Sequence, residues 1–279
     1  MIRLSAPSDI PALRRLWGLA FGDGGPYLDN FFDNYYRPER MIVLEREGEI
    51  LSMTAWFDTD FVVPGRGAYR AAYLYAVATH PDCRGEGLSG RVQVWADEYF
   101  RGLGIPAVTT VPAEPSLHRF FGANGFRECF AYDEVSVPAA AGPAPFELES
   151  LTPEDYADLR EAILRDTPHI RLAVDAVTYQ AGCSAISGGG LYAAQTPEGV
   201  VILCTEGMGD GTLLVKELLG TPKACEIALE YLDFLLPHHA GICRIPGKSV
   251  PFGMLKWLDE AVEREWNWDF VAYLGLAFD

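Results

Sequence analysis

The sequence predicts a mixed α/β protein of two consecutive domains built on one plan, and three observations carry that prediction. The 279 residues are long for one hydrophobic core and comfortable for two of about 140 residues each. Residues 138–145 read Pro-Ala-Ala-Ala-Gly-Pro-Ala-Pro, with prolines that continue neither a helix nor a central strand, so they are the natural linker between domains 1–137 and 146–279. On either side of it the order strand, helix, hairpin, strand, helix is read twice.

The repeat begins with a short strand and a helix. Pro7, Asp9, Leu13 and Arg14 recur at one offset as Pro153, Asp155, Leu159 and Arg160. Proline in a first turn followed by an early carboxylate suits the free amides and dipole of a helix start. Thr152 is a good cap for the second copy, whereas Ala6 stands at that place in the first. Apolar runs at 41–44 and 50–57 flank Glu45-Arg46-Glu47-Gly48-Glu49, and runs at 191–194 and 200–204 flank Thr196-Pro197-Glu198-Gly199, which reads as a hairpin in each half. A long strand follows at 71–79 and again at 212–219. Each leads into a helix, marked by Leu88, Val92, Trp95, Ala96 and Tyr99 in one half and by Ile227, Leu229, Tyr231, Leu232 and Leu235 in the other.

Composition narrows the function classes. A net charge of −17 argues against nucleic acid or an anionic membrane as partner, because phosphates are held chiefly by Lys and Arg. It suits cationic ligands, or simply a well-solvated surface. No apolar run approaches the roughly 20 residues of a membrane span, and the six scattered cysteines lack any C-x-x-C spacing. The expectation is a cytoplasmic protein with reduced thiols and no metal.

The most informative segment is Val77-Ala78-Thr79-His80-Pro81-Asp82-Cys83-Arg84-Gly85-Glu86-Gly87-Leu88-Ser89-Gly90, which carries a strand through a glycine turn into a helix. Glycines let backbone amides turn inward, the helix start adds partial positive charge and Arg84 a full one, so the turn is suited to a diphosphate. The glycine spacing fits neither a Rossmann fingerprint nor a P-loop. It resembles the pyrophosphate motif of the GNAT superfamily of N-acetyltransferases, Arg or Gln, two residues, Gly, one residue, Gly or Ala, with Arg84, Gly87 and Ser89 in those places. Phe120-Phe121-Gly122-Ala123-Asn124-Gly125-Phe126, about 30 residues on, is similar to the aromatic pair and Gly-Phe that follow the last helix of that superfamily. The structural alternative is a tight turn at the first motif and core packing at the second.

The resemblance implies tandem GNAT-like domains, each a splayed, mostly antiparallel sheet flanked by helices, with acetyl-CoA as cosubstrate in the first. Val77 and Thr79 would bond the pantetheine arm, and the amides of Gly85, Glu86, Gly87, Leu88 and Ser89, with Arg84, the pyrophosphate. Phe121 would shape the pocket. The Val77 amide would stabilise the oxyanion as a primary amine attacks the thioester directly. The acidic chain favours a cationic acceptor, a small molecule or a peptide amine.

Phe121 departs from the family pattern, where Tyr is common and is proposed to protonate the leaving thiolate. The replacement acids in the sequence are Tyr75 and His118, ahead of Tyr73 and Tyr132; Glu114 and His80 are the bases on offer. The terminal run 273–279 is apolar and strand-like, and a C-terminal carboxylate reaches the active site in tandem enzymes of the enhanced-intracellular-survival type. The second half has Gly220-Thr221-Pro222-Lys223 and no arginine where the first has 84–89, so it reads as a degenerate copy that does not bind CoA. Its 244–255 segment echoes the strand-to-helix turn at 110–117. Trp257, Trp266 and Trp268, with Glu260, Glu263 and Glu265, suit an amphipathic helix and the strand after it, or a cationic acceptor. A non-catalytic acyl-CoA-binding or sensory protein and a protein-interaction module are the alternatives, and a homodimer is compatible with each.

Overall fold

The computed structural model describes residues 1–140 and 142–278; Ala141, inside the predicted linker, and the terminal Asp279 lie outside the described residues. In chain order the elements are β1 (Ile2–Leu4), α1 (Ile10–Phe21), α2 (Pro26–Asn30), β2 (Met41–Arg46), β3 (Glu49–Val63), β4 (Gly67–Thr79), α3 (Leu88–Gly102), β5 (Ala107–Thr110), α4 (Pro115–Ala123) and β6 (Arg127–Ser136). There follow β7 (Glu149–Ser150), α5 (Pro153–Leu164), β8 (His169–Leu172), α6 (Val174–Ile186), β9 (Gly190–Thr196), β10 (Gly199–Met208), β11 (Thr212–Leu219), α7 (Pro222–Leu235), β12 (Ala240–Pro246), β13 (Val250–Trp257) and α8 (Glu260–Glu265). No helix among the described residues is long and apolar enough to cross a membrane.

Local chemistry explains the element boundaries. Thr152 Oγ1 accepts from the Asp155 amide at 3.1 Å and caps α5. In the first copy, where Ala6 offers no oxygen, the Asp9 carboxylate reaches back to the Ala6 amide at 2.7 Å. Glu47 and Gly48 both have positive φ, 55° and 83°, which is the geometry that joins β2 and β3 through a two-residue turn.

The chain forms two compact units that do not follow its linear division: residues 1–61, 67–129 and 253–270 make the first, and 62–66, 130–252 and 271–279 the second. The first unit carries the sheet order β1-β2-β3-β4-β5-β13, in which β4 and β5 are parallel and β13 runs antiparallel to β5 from Met254↔Thr110 to Trp257↔Ala107. The second carries β6-β12-β11-β10-β9-β7, with β11 and β12 parallel and β6 antiparallel to β12. The predicted plan of a mixed sheet flanked by helices is therefore present in each unit, while the last strand of each half completes the other half's unit.

The helix that the 244–255 echo implies after Pro246 does not form. The Asp133 carboxylate accepts the amides of Lys248 and Ser249, both at 2.9 Å, and fixes a reversal there. The chain then returns as β13, and Met254 and Leu258 join the apolar core of the first unit beside Leu88, Val92, Phe100 and Phe121.

The second unit is held by a buried polar cluster on α5. Arg160, 1% exposed, bonds Glu217 at 2.9 Å, the Ile170 carbonyl at 2.8 Å and the Leu274 carbonyl at 2.9 Å, while the Tyr156 hydroxyl donates to Glu217 at 2.9 Å. The donors of a fixed guanidinium fork are used, so neither buried charge is left without a partner. The terminal run is thereby pinned, and it is buried from Ala272 to Leu274 and from Leu276 to Phe278.

Next to it, Glu161 lies between His169 Nε2 at 3.1 Å and Arg171 Nε at 2.7 Å. Burial pushes the Glu161 carboxyl up, but the bonds from His169 and Arg171 outweigh it and hold it down to about 2. A free Glu titrates at about 4.3. The carboxylate therefore stabilises the fold above that pH, and the gain is lost as pH falls through about 2. With allowance for its 28% side-chain exposure, the contribution is about 2 kcal/mol. Urea denaturation between pH 2 and pH 6 is expected to show Glu161→Gln with a flatter acid limb than the wild type; identical limbs would remove the assignment.

Candidate functional site

The site begins where β4 and β5 part. Their parallel register runs from Ala71↔Ala107 to Leu74↔Thr110 and stops, while β4 continues to Thr79. Two residues beyond the last pair, Ala76 has φ 51°. A left-handed alanine costs about 1–2 kcal/mol, and it stands where the bonds to β3 change spacing, Thr54 and Ser52 two residues apart meeting Tyr75 and Ala78 three apart, as at a bulge. On the β3 side, Thr54 Oγ1 donates to the Tyr75 carbonyl at 3.3 Å, Ser52 Oγ to the Ala78 carbonyl at 2.8 Å, and the His80 amide to the Leu51 carbonyl at 2.8 Å. Since 78 and 80 face β3, period two turns the main-chain groups of Val77 and Thr79 to the edge that β5 has left.

At the end of that edge the chain makes the glycine turn. Gly85 has φ 86° and Gly87 φ 74°, and α3 starts at Leu88 with Gly87 as a cap that carries no side-chain acceptor. Among the described residues, the amides of Gly85, Gly87, Leu88, Ser89 and Gly90 donate to nothing within the chain. Arg84 is exposed, and its guanidinium has no bond or ion pair among the described residues. Unpaired amides, the positive end of a 15-residue helix and a free guanidinium are together the chemistry of a diphosphate cradle. Glu86 is the exception in charge: its carboxylate pairs with Arg46 at 2.8 Å, and Arg46 also reaches Cys83 Sγ at 3.3 Å.

The helix after β5 closes the other side. Phe121 is buried, edge-on to Phe120 and Phe126 at 5.2 and 5.4 Å, and belongs to the same core as Leu88. Asn124 Nδ2 donates to the Phe120 carbonyl at 2.8 Å and ends α4. Gly125, φ 90°, then passes under the stem of Lys256, whose ammonium bonds Asp97 of α3.

The replacement acids are dispersed. Tyr75 precedes the bulge on β4, half-buried against the rings of Phe57, Trp17 and Phe31 at 5.4, 5.5 and 6.0 Å. His118 Nδ1 faces the Glu128 carboxylate at 2.7 Å. Tyr73 is buried beneath Phe57, and Tyr132 lies in the second unit, edge-on to Phe252. His80 Nδ1 accepts its own turn's Asp82 amide, and Glu114, ahead of α4, accepts from Ser116 Oγ. Burial pushes the thiols of Cys129 and Cys204 up to about 12 and that of Cys225 to about 11, which keeps them from acting as thiolates.

Sequence reasoning missed Ala76, Arg46 and Lys256. An alanine amid strand formers carries no mark of a positive φ, and the other two meet the site only through register and long-range pairing.

Residues 1–125 match the model of the acetyltransferase (GNAT) domain. The N-terminal segment is a GNAT acetyltransferase domain. That domain family is one of acyltransferases that draw their acyl group from acetyl-CoA, and the match covers this segment of the chain. In structure, the likeness extends past the GNAT domain. A GCN5-related N-acetyltransferase from Anabaena variabilis ATCC 29413 is 15% identical with a TM-score of 0.73, over 93% of this chain and 73% of that one. The corresponding protein from Kribbella flavida is 16% identical, TM-score 0.68, over 93% and 71%. Eis1 from Mycobacterium abscessus is 15% identical, TM-score 0.66, over 93% and 74%. At such identities the likeness is one of fold. No curated protein matches the chain by sequence.

The second unit has a strand-to-helix step of similar layout, and its helix starts differently. There too the parallel pair stops after four residues, at Val215↔Cys243. A register shift of β10 against β11 leaves Lys216 as the extra residue. But Thr221 Oγ1 accepts the Ala224 amide at 3.2 Å, its carbonyl accepts the Cys225 amide at 2.9 Å and Pro222 has no amide to give, so the start of α7 is capped by its own chain far more fully than that of α3.

Proposed function

We propose that the GNAT domain binds acetyl-CoA with its diphosphate on the amides of Gly85, Gly87, Leu88, Ser89 and Gly90 beside Arg84. The pantetheine arm would lie along the Val77 and Thr79 edge of β4, and the acetyl group would pass directly to a primary amine. The five unpaired amides at the start of α3 are the observation that carries this reading. Bound acetyl-CoA would supply an activated acyl group. The Val77 amide would donate to its carbonyl oxygen as charge builds there, in a main-chain oxyanion site that needs no covalent enzyme intermediate. A net charge of −17 favours a cationic acceptor. Tyr75, beside the bulge, and His118, oriented by Glu128, are the acids proposed in place of the absent tyrosine hydroxyl at 121.

The C-terminal residues enter the reading differently. We infer from the capped start of α7 that the second unit is a GNAT-like copy that binds no cofactor, while residues 253–270 belong to the first unit. Phe121 supports a second reading, binding of acyl-CoA without efficient turnover, because a phenyl ring donates no proton.

Calorimetric titration with acetyl-CoA, followed by a panel of amines assayed for released CoA thiol, separates these. Micromolar one-to-one binding with turnover on a cationic amine is the expected result. Binding without turnover across the panel would leave the second reading, and no binding would remove both.

A further inference from the structure

We propose that Arg46 is a second guanidinium of the diphosphate site and that Glu86 holds it in place until the cofactor arrives. This rests on the acetyl-CoA reading above and assigns a role to a residue outside the glycine motif. Arg46 ends β2, immediately before the Glu47-Gly48 turn, and pairs across the hairpin with Glu49. That register aims its side chain at the root of the loop, where Nη2 donates to Cys83 Sγ at 3.3 Å and Nη1 to the Glu86 carboxylate at 2.8 Å. Cys83 is buried in the core, so the guanidinium is anchored on one side and bridged on the other to a residue in the middle of the loop.

Charge explains why this pairing is not the final one. Glu86 lies between two glycines whose geometry turns amides outward for an anion, and its carboxylate opposes the same anion. Arg46 cancels that opposition in the free protein. The pair is exposed, 48% and 43% for the two side chains, so it is weak and readily exchanged. A diphosphate offers the guanidinium a bidentate acceptor with more charge than a carboxylate. Arg46 then moves from Glu86 to the phosphate while Cys83 keeps its base in place. Glu86 acts as a placeholder that keeps the cation oriented and limits cofactor affinity.

The two partners should therefore move affinity in opposite directions. In calorimetric titration of the full chain with CoA, Glu86→Gln is expected to tighten binding about 3- to 10-fold by freeing Arg46 and removing a like charge. Arg46→Gln is expected to weaken it about 10-fold and to make it less salt-dependent between 50 and 300 mM salt, as loss of one phosphate contact requires. Pantetheine, which lacks the diphosphate, should bind both variants as it binds the wild type. Movement of both variants in the same direction, no movement in either, or altered pantetheine binding would mean that the pair only holds the loop's shape, and the proposal falls. Failure of the wild type to bind CoA overturns the acetyl-CoA reading itself and is seen before any variant is made.

Discussion

Lys256→Ala is expected to destabilise the first unit by about 3 kcal/mol, although residue 256 lies far outside the 125-residue domain match. Lys256 stands on β13 and its ammonium bonds Asp97 in the middle of α3, with side-chain exposures of only 16% and 11%. Its stem packs on Gly125, where an added Cβ would lie 3.3 Å from Lys256 Cε, and its charge sits 5.5 Å above the Phe126 ring. Removing it strands a carboxylate that burial already pushes toward its neutral form. The deficit should therefore shrink as pH falls and Asp97 takes up a proton. Replacing both partners, Asp97→Leu with Lys256→Met, should recover most of the loss, because a buried pair is costly to break and cheap to exchange for apolar groups. Urea denaturation of the three proteins checks this. A loss under about 1 kcal/mol in the single variant would show that the pair contributes no more than a surface contact.

Gly87→Glu is expected to abolish acetyl-CoA binding, a loss of at least about 100-fold, while the protein stays folded. Two effects separate here. At φ 74° any side chain costs about 1–2 kcal/mol of backbone strain, yet a Cβ built at Gly87 meets nothing within 4 Å. Glycine is required there by conformation and not by crowding. The carboxylate adds what strain does not, a negative charge among amides oriented for an anion. Gly87→Ala carries the strain alone and should weaken binding less than about 10-fold. Calorimetry on the two variants, with thermal melts as the control, tells them apart. Equal losses in both would assign the turn to backbone shape alone.

These two residues mark the limits of the sequence. Gly87 was legible because an anion-binding turn needs backbone amides, and amides can converge only where glycine permits a positive φ. Arg84, the Phe120-Phe126 segment, the linker prolines and the capped helix starts were legible for the same kind of reason. Each is a local requirement written in adjacent residues. The two-fold order of elements followed from hydrophobic period, which is also local.

What remained closed was decided by contacts between residues remote in the chain. The echo at 244–255 points to a helix, but Asp133 bonds the reversal and β5 offers an open edge, so the segment becomes β13. Ala76 takes a left-handed conformation that alanine does not prefer, at the point where β5 has stopped pairing and β3 still holds the strand through Ala78 and His80. His118 and Tyr75 have the chemistry of a proton donor in any sequence; one faces Glu128 and the other a cluster of aromatic rings. The sequence by itself determined the plan of each half, the glycine turn and the missing hydroxyl at 121, since these depend on residues within a few positions of one another. Only the tertiary structure decided which half completes which sheet, which cation reaches the turn and where β4 opens, because pairing energy between distant strands outweighs the propensity of any short segment.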